Sequence, residues 1–306
     1  MLSERRKSGY SPFAYAAAAP TGRGESPLAK FLIGGGVTVA VETLLLGHFC
    51  EFLKIAKQTS SDSYWTITRN IVAKKGAAGI VDGFLPWGML QALTKGAVFS
   101  WGQAISMNAL RGVPGISKDT ATVLSGGIGG AVQGLCMSPV LLLKTRVMTD
   151  PAYRSSGGVL ETAASSARLG GKVLAKEGLA GLFKGVGLFS LKRSLDWTTR
   201  YFFVVVAENS LKQSSGKQKL SGGEEALASF IGGALSALST LPIDVAVASR
   251  QSAAEAGQKS MSFVQSISAR VEKEGWGKTL AYSSRGYVAR TVHVSLTTWA
   301  MKNVSN

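Results

Sequence analysis

Acidic residues are scarce in this chain. Eighteen Asp and Glu stand against 34 Lys and Arg, a formal charge of +16, yet charged residues of both signs make up only 17% of the sequence. A soluble nucleic-acid binder with that excess of base is ordinarily more polar. No nucleic-acid fold and no aromatic–basic platform is visible, so nucleic acid is disfavoured as a partner. Cysteine and histidine are scarcer still, two of each. Cys50 and Cys136 lie in apolar runs and read as small buried hydrophobes rather than a disulfide. His48 and His293 stand alone in the sequence, without metal-ligand spacing, and no metal and no cofactor are expected. No nucleophile–base pair or phosphate loop points to an enzyme. The glycine runs follow no strand, which argues against a dinucleotide loop.

Glycine and apolar residues are plentiful. The 37 glycines, together with few acids and a positive mean hydropathy, fit a polytopic membrane protein whose cavity or loops carry the excess base. Residues 31–48 are apolar apart from Glu42 and would span about 27 Å as a helix, near the thickness of a bilayer core. A second apolar segment, 84–110, holds a single charge, Lys95. Apolar runs ending at Pro139 and at Pro242, and basic-dotted segments over 186–210 and towards the C-terminus, complete the set. Residues 1–28, with Arg5, Arg6 and Lys7, lack the apolar core of a secretory signal and read as a flexible tail.

The chain repeats itself. Phe49 to Pro139 is 90 residues and Pro139 to Pro242 is 103, while Gly76 to Gly178 is 102 and Gly178 to Gly275 is 97. Each unit of about a hundred residues holds two apolar segments joined by a polar linker and a glycine turn. The expected fold is an all-α membrane protein with six transmembrane helices in three pseudo-repeats, 29–113, 114–215 and 216–306. Pro139 and Pro242 would kink their helices, because proline removes a backbone donor and its ring clashes with the preceding turn.

Glu51, Lys54 and Gln58, then Pro139, Lys144 and Arg146, then Pro242, Asp244 and Gln251 are three imperfect copies of Pro-x-[Asp/Glu]-x-x-[Lys/Arg]-x-[Lys/Arg]. This pattern, followed by a glycine turn in each unit, resembles the mitochondrial carrier family over about 31–303. Gly83-Phe84-Leu85-Pro86-Trp87, Ala92 to Val98, and Trp197 with Arg200 resemble the family's citrate–oxoglutarate branch. The resemblance implies a multi-pass protein of the mitochondrial inner membrane that exchanges carboxylate anions by alternating access. It implies a matrix gate in which Glu51 meets Lys144, Asp244 meets Lys54, and Leu141 meets Val247 as an apolar pair. It also implies contact positions seven and eight residues past each glycine turn. Counted from Gly83, Gly185 and Tyr282, these are Leu90 and Gln91, Lys192 and Arg193, and Ala289 and Arg290. Lys95 lies one helical turn beyond Gln91. Glu42 could pair with one of these bases or take up a proton, and Arg200 lies seven residues past Arg193. Arg supplies a bidentate fork for a carboxylate and Lys a point charge. Cardiolipin at the glycine turns is a further implied partner.

The family's second gate keeps little charge in this sequence. Its acid and base positions hold Gln103 and Ser106, Val205 and Glu208, and Lys302 and Ser305. The alternative is therefore a carrier-fold protein that no longer transports and serves as a structural subunit of a membrane protein complex.

Overall fold

The computed structural model describes residues 36, 39–40, 42–44, 47–149, 158–255 and 263–295. Among the described residues every regular element is helical. The expectations placed on 1–28, Lys302 and Ser305 lie outside them. Residues 36, 39, 40, 42 and 43 are helical and precede α1 (Gly47–Thr59), which is followed by α2 (Tyr64–Lys75). A short 3-10 turn (Ala77–Val81) separates α2 from α3 (Trp87–Arg111). The remaining helices are α4 (Lys118–Thr149), α5 (Val159–Leu182), α6 (Val186–Ser215), α7 (Gly222–Glu255) and α8 (Phe263–Ser283), with α9 over 287–295.

Local chemistry starts and stops these helices. Ser63 caps α2, accepting from the Thr66 N–H at 3.0 Å. Ser221 and Glu224 form a reciprocal cap on α7, the Ser221 N–H donating to Glu224 at 2.7 Å. Pro139 and Pro242 lie inside α4 and α7, where each leaves a carbonyl one turn earlier without its usual donor.

A backbone feature recurs three times. Gly76, Gly178 and Gly275 take φ of 66°, 66° and 79°, each at the point where a helix breaks. Only glycine adopts that conformation without strain. Gly83 and Gly185 then take φ of 75° and 79° just before the next long helix begins. In the last unit the same role falls to Gly286, with φ of 81°. This corrects the placing of Tyr282 at that point. The reason is that α8 runs on helically past Gly275 to Ser283, one turn further than α5 runs past Gly178.

Glycine also sets how closely the long helices approach. A Cβ at Gly134 of α4 would stand 2.5 Å from the Ser190 Cα, and one at Gly129 would stand 2.9 Å from the Gln103 N. The helix α4 is thus clamped between α3 and α6 through its small-residue faces. Its opposite face is apolar and uncovered, with Leu124, Ile128 and Leu135 exposed. On α7, Leu227, Phe230, Ile231 and Leu238 are likewise exposed. Among the described residues, two helical stretches, Lys118–Val147 and Gly222–Asp244, are long and apolar enough to cross a membrane. Inside, Phe49, Phe52, Ile55 and Ala56 of α1 pack on Ile67 and Ile71 of α2.

Candidate functional site

The charged residues of the long helices converge on one polar cavity. From α1 come Glu51 and Lys54, from α3 Gln91 and Lys95, and from α4 Gln133. The helix α6 contributes Lys192, Arg193, Asp196, Trp197 and Arg200, α7 contributes Asp244, and α9 contributes Arg290, His293 and Val294. Six of these are Lys or Arg and three are carboxylates.

Most of the charges are already partnered, in two clusters. In the first, Lys192 bridges Asp196 at 2.8 Å and Asp244 at 2.7 Å. Arg290 bridges the same two acids, reaching Asp196 at 2.6 Å and also pairing with Asp244. Two acids and two bases thus close a neutral ring across α6, α7 and α9, with Arg290 also donating to Thr240 Oγ1 at 2.5 Å. Lys54 stands at the edge of the ring, 3.7 Å from Asp244. Ions this deep persist only where partners replace their lost hydration, and the ring supplies those partners.

The second cluster joins α1, α3, α4 and α9. Lys144 meets Glu51 at 2.5 Å and donates to the Gln91 amide oxygen at 2.9 Å. Lys95 meets Glu42 at 2.7 Å, and His293 Nε2 lies 3.2 Å from the same Glu42 oxygen. A ligand atom from each of Glu42, Glu51 and His293 lies within 4.8 Å of the others. The solitary reading of His293 is therefore overturned, because helix packing brings it to an acid 251 positions away in the chain.

Arg193 and Arg200 differ from the other cations. Among the described residues neither has a carboxylate within ion-pair distance. Arg200 instead lies over the Trp197 ring, 4.5 Å from its centroid. Phe99 of α3 stacks on Trp197, with ring centroids 3.7 Å apart. Trp197 Nε1 donates to Gln133 at 3.1 Å, and the Gln133 amide donates to the Lys95 carbonyl at 2.8 Å. This bridge from α6 through α4 to α3 was not anticipated from the sequence. Gln133 in the apolar run of α4 was its only signal.

The expected pairs are met unevenly. Glu51 and Lys144 are in direct contact, while Asp244 is nearer to Lys192 than to Lys54. Leu141 packs with Met137, Leu142 and Phe189, and the side chain of Val247 lies outside the described residues. Leu90 is exposed on the outside of the bundle. In the last unit, seven and eight residues past Gly286 are His293 and Val294. Arg290 reaches the cavity from a turn earlier and stands in the ring, buried to 5% exposure. Arg146 bonds Glu177 at 3.1 Å near the break in α5, and Lys184 meets the same carboxylate at 2.6 Å. Hydrogen bonds from Arg146 and then Lys184 hold the Glu177 carboxyl below the usual carboxylate range.

Residues 117–214 match the family model described as mitochondrial carrier protein. Over 232 residues the chain is 27% identical to the citrate/oxoglutarate carrier protein of Saccharomyces cerevisiae, a match covering 74% of this chain and 72% of that one. It is 27% identical over 215 residues to S-adenosylmethionine carrier 1 of Arabidopsis thaliana, covering 70% of this chain and 59% of the relative. It is 30% identical over 123 residues to mitochondrial succinate-fumarate transporter 1 of the same plant, covering 40% and 37%. The chain thus spans less than two thirds of the length of these two plant relatives.

Proposed function

We propose that this chain, a member of the mitochondrial carrier family, exchanges small anions with two or three carboxylates across the mitochondrial inner membrane by alternating access. The observation that carries this reading is the cavity itself. Its cations outnumber its carboxylates, and Arg193 and Arg200 face it without an acidic partner among the described residues. A carboxylate entering from solvent finds Arg193 ready for a bidentate fork. A second carboxylate can compete with Glu42 for Lys95, or with Asp196 for Lys192.

The same reading gives the bundle six spans in three repeats. It is supported by the recurring positive-φ glycines and by the apolar outer faces of α4 and α7, which in water would stand exposed. The end carrying α2, α5 and α8 is the matrix end. The Glu51–Lys144 pair and the Asp244 ring close it, which corresponds to a state open toward the opposite face. Cardiolipin at the helix breaks belongs to this reading as a lipid partner.

The test is exchange of labelled citrate and 2-oxoglutarate by purified protein in cardiolipin-containing liposomes. Saturable exchange is expected, with a loss of at least tenfold in Arg193→Ala, since a charged hydrogen bond contributes about 1.5–3 kcal/mol. Wild-type rates in that variant would remove Arg193 from the site. The second reading, a structural subunit of a membrane complex, is favoured by one feature. The acid and base positions at the far end of α3 and α6 hold Gln103, Ser106, Val205 and Glu208, which include no base. Absence of exchange by folded protein would favour that reading.

A further inference from the structure

Glu42 has more capacity than its partners use. It is 3% exposed, and Lys95 and His293 both approach the same oxygen, Oε1. The other oxygen, Oε2, is buried and has no hydrogen-bond partner among the described residues. A carboxylate holding two donors on one oxygen and none on the other has a ready position for a proton. The neighbouring ring of His293 lines the cavity and can accept that proton from water.

The surroundings argue for a proton rather than a metal ion. The groups around the pair are Glu51, Cys50 and Lys54 from α1, Lys95 from α3 and Lys144 from α4, with Arg193 of α6 and Asp244 of α7 lining the same cavity. A divalent cation among Glu42, Glu51 and His293 would stand beside two ammonium groups, Lys95 and Lys144, each already bound to one of the carboxylates. With His293 neutral, the pairs Glu42–Lys95 and Glu51–Lys144 leave this cluster without net charge. A substrate carboxylate that takes Lys95 removes the counter-ion of Glu42 and leaves a buried anion uncompensated, which is strongly unfavourable. One proton restores the balance.

We infer that Glu42 and His293 form a proton-binding site coupled to substrate, so that one proton enters with each anion that engages Lys95 and leaves with it on the other side. The proton passes from hydronium in the cavity to the His293–Glu42 pair, water is released, and no covalent bond to substrate forms or breaks. This inference rests on the carrier reading above and adds the ion that accompanies the anion.

The test is the pH dependence of 2-oxoglutarate binding to the purified full chain, followed by calorimetry. This dicarboxylate has no group titrating near neutrality, so a pH-dependent affinity reports protons taken up with it. Uptake of one proton tightens binding by about tenfold per pH unit of acidification. A second calorimetric series, in buffers of different ionisation enthalpy, counts the protons directly. The wild type is expected to show this slope, and Glu42→Gln and His293→Asn to bind with a flat profile. A flat wild-type profile overturns the proposal and leaves the carrier reading intact. An unchanged slope in both variants overturns the assignment to this pair. Loss of binding in both, from folded protein, identifies the pair as direct substrate ligands and also overturns the proposal. A wild type that neither binds nor exchanges any carboxylate counts against the carrier reading itself, and this inference falls with it.

Discussion

The contact between Lys144 and Glu51 shows what single charges do in this bundle. Lys144 is 3% exposed, so its ammonium exists there only because Glu51 and the Gln91 amide replace the water it gave up. Removing one member of such a pair costs more than removing both, because the survivor is left charged and unpaired. Lys144→Met is therefore expected to destabilise the protein by about 3–5 kcal/mol. Glu51→Gln combined with Lys144→Met should recover most of that loss, with a coupling energy well outside the additive range. Unfolding in mixed micelles measures it, and simple additivity of the two losses would show that the pair is not an energetic unit. Leu141 makes the complementary point. It stands where an acid would complete a third pair, and it packs instead with Met137, Leu142 and Phe189, so no charge is left stranded.

At the scale of helices, glycine decides the geometry. The face of α4 toward α6 is cut away at Gly126, Gly127, Gly130 and Gly134, which lets the backbone of Ser190 come close. Gly134→Ala would force these two backbones apart, an overpacking cost of about 1–3 kcal/mol. The expected outcome is a lower thermal midpoint in detergent with α-helix content unchanged. An unshifted midpoint would mean that α4 and α6 can separate freely at this level. The glycine breaks at Gly76, Gly178 and Gly275 were legible in the sequence because only glycine suits those backbone angles and the spacing repeats. The extra turn of α8 was not legible. It is built from ordinary helical residues between Gly277 and Ser283, which carry no signal of their own, and it shifts the register of the last unit by four residues. The Glu51–Lys144 contact was implied by the resemblance to the carrier family, in which the acid of one unit meets the base of the next. The approach of His293 to Glu42 could not, since no local pattern links residues from the first and last helices.

Across the whole molecule the two ends are built differently. At one end α1, α4, α6, α7 and α9 are tied by Lys144–Glu51 and by the ring on Asp244 and Asp196. At the other, the matching positions on α3 and α6 include no base. On the proposed carrier reading, the balance between conformers depends on one end more than the other, with Asp244 as its main node, 3% exposed and meeting Lys192, Arg290 and, more distantly, Lys54. Asp244→Asn keeps the shape of the side chain and removes its charge, leaving Asp196 to serve both Lys192 and Arg290. Loss of one member of a buried network on this scale, about 3–5 kcal/mol, shifts a two-state balance by on the order of a hundredfold or more. That is enough to raise a conformer held at about one per cent to parity. Spin labels at Asn108 and Ser214, exposed at the far ends of α3 and α6, read the separation directly. The wild type should show mainly the longer distance, and Asp244→Asn should populate a second, shorter one. If the substitution leaves the distance distribution unchanged, the closed end is held by apolar packing around α1 and α2, and the ring serves the substrate rather than the gate.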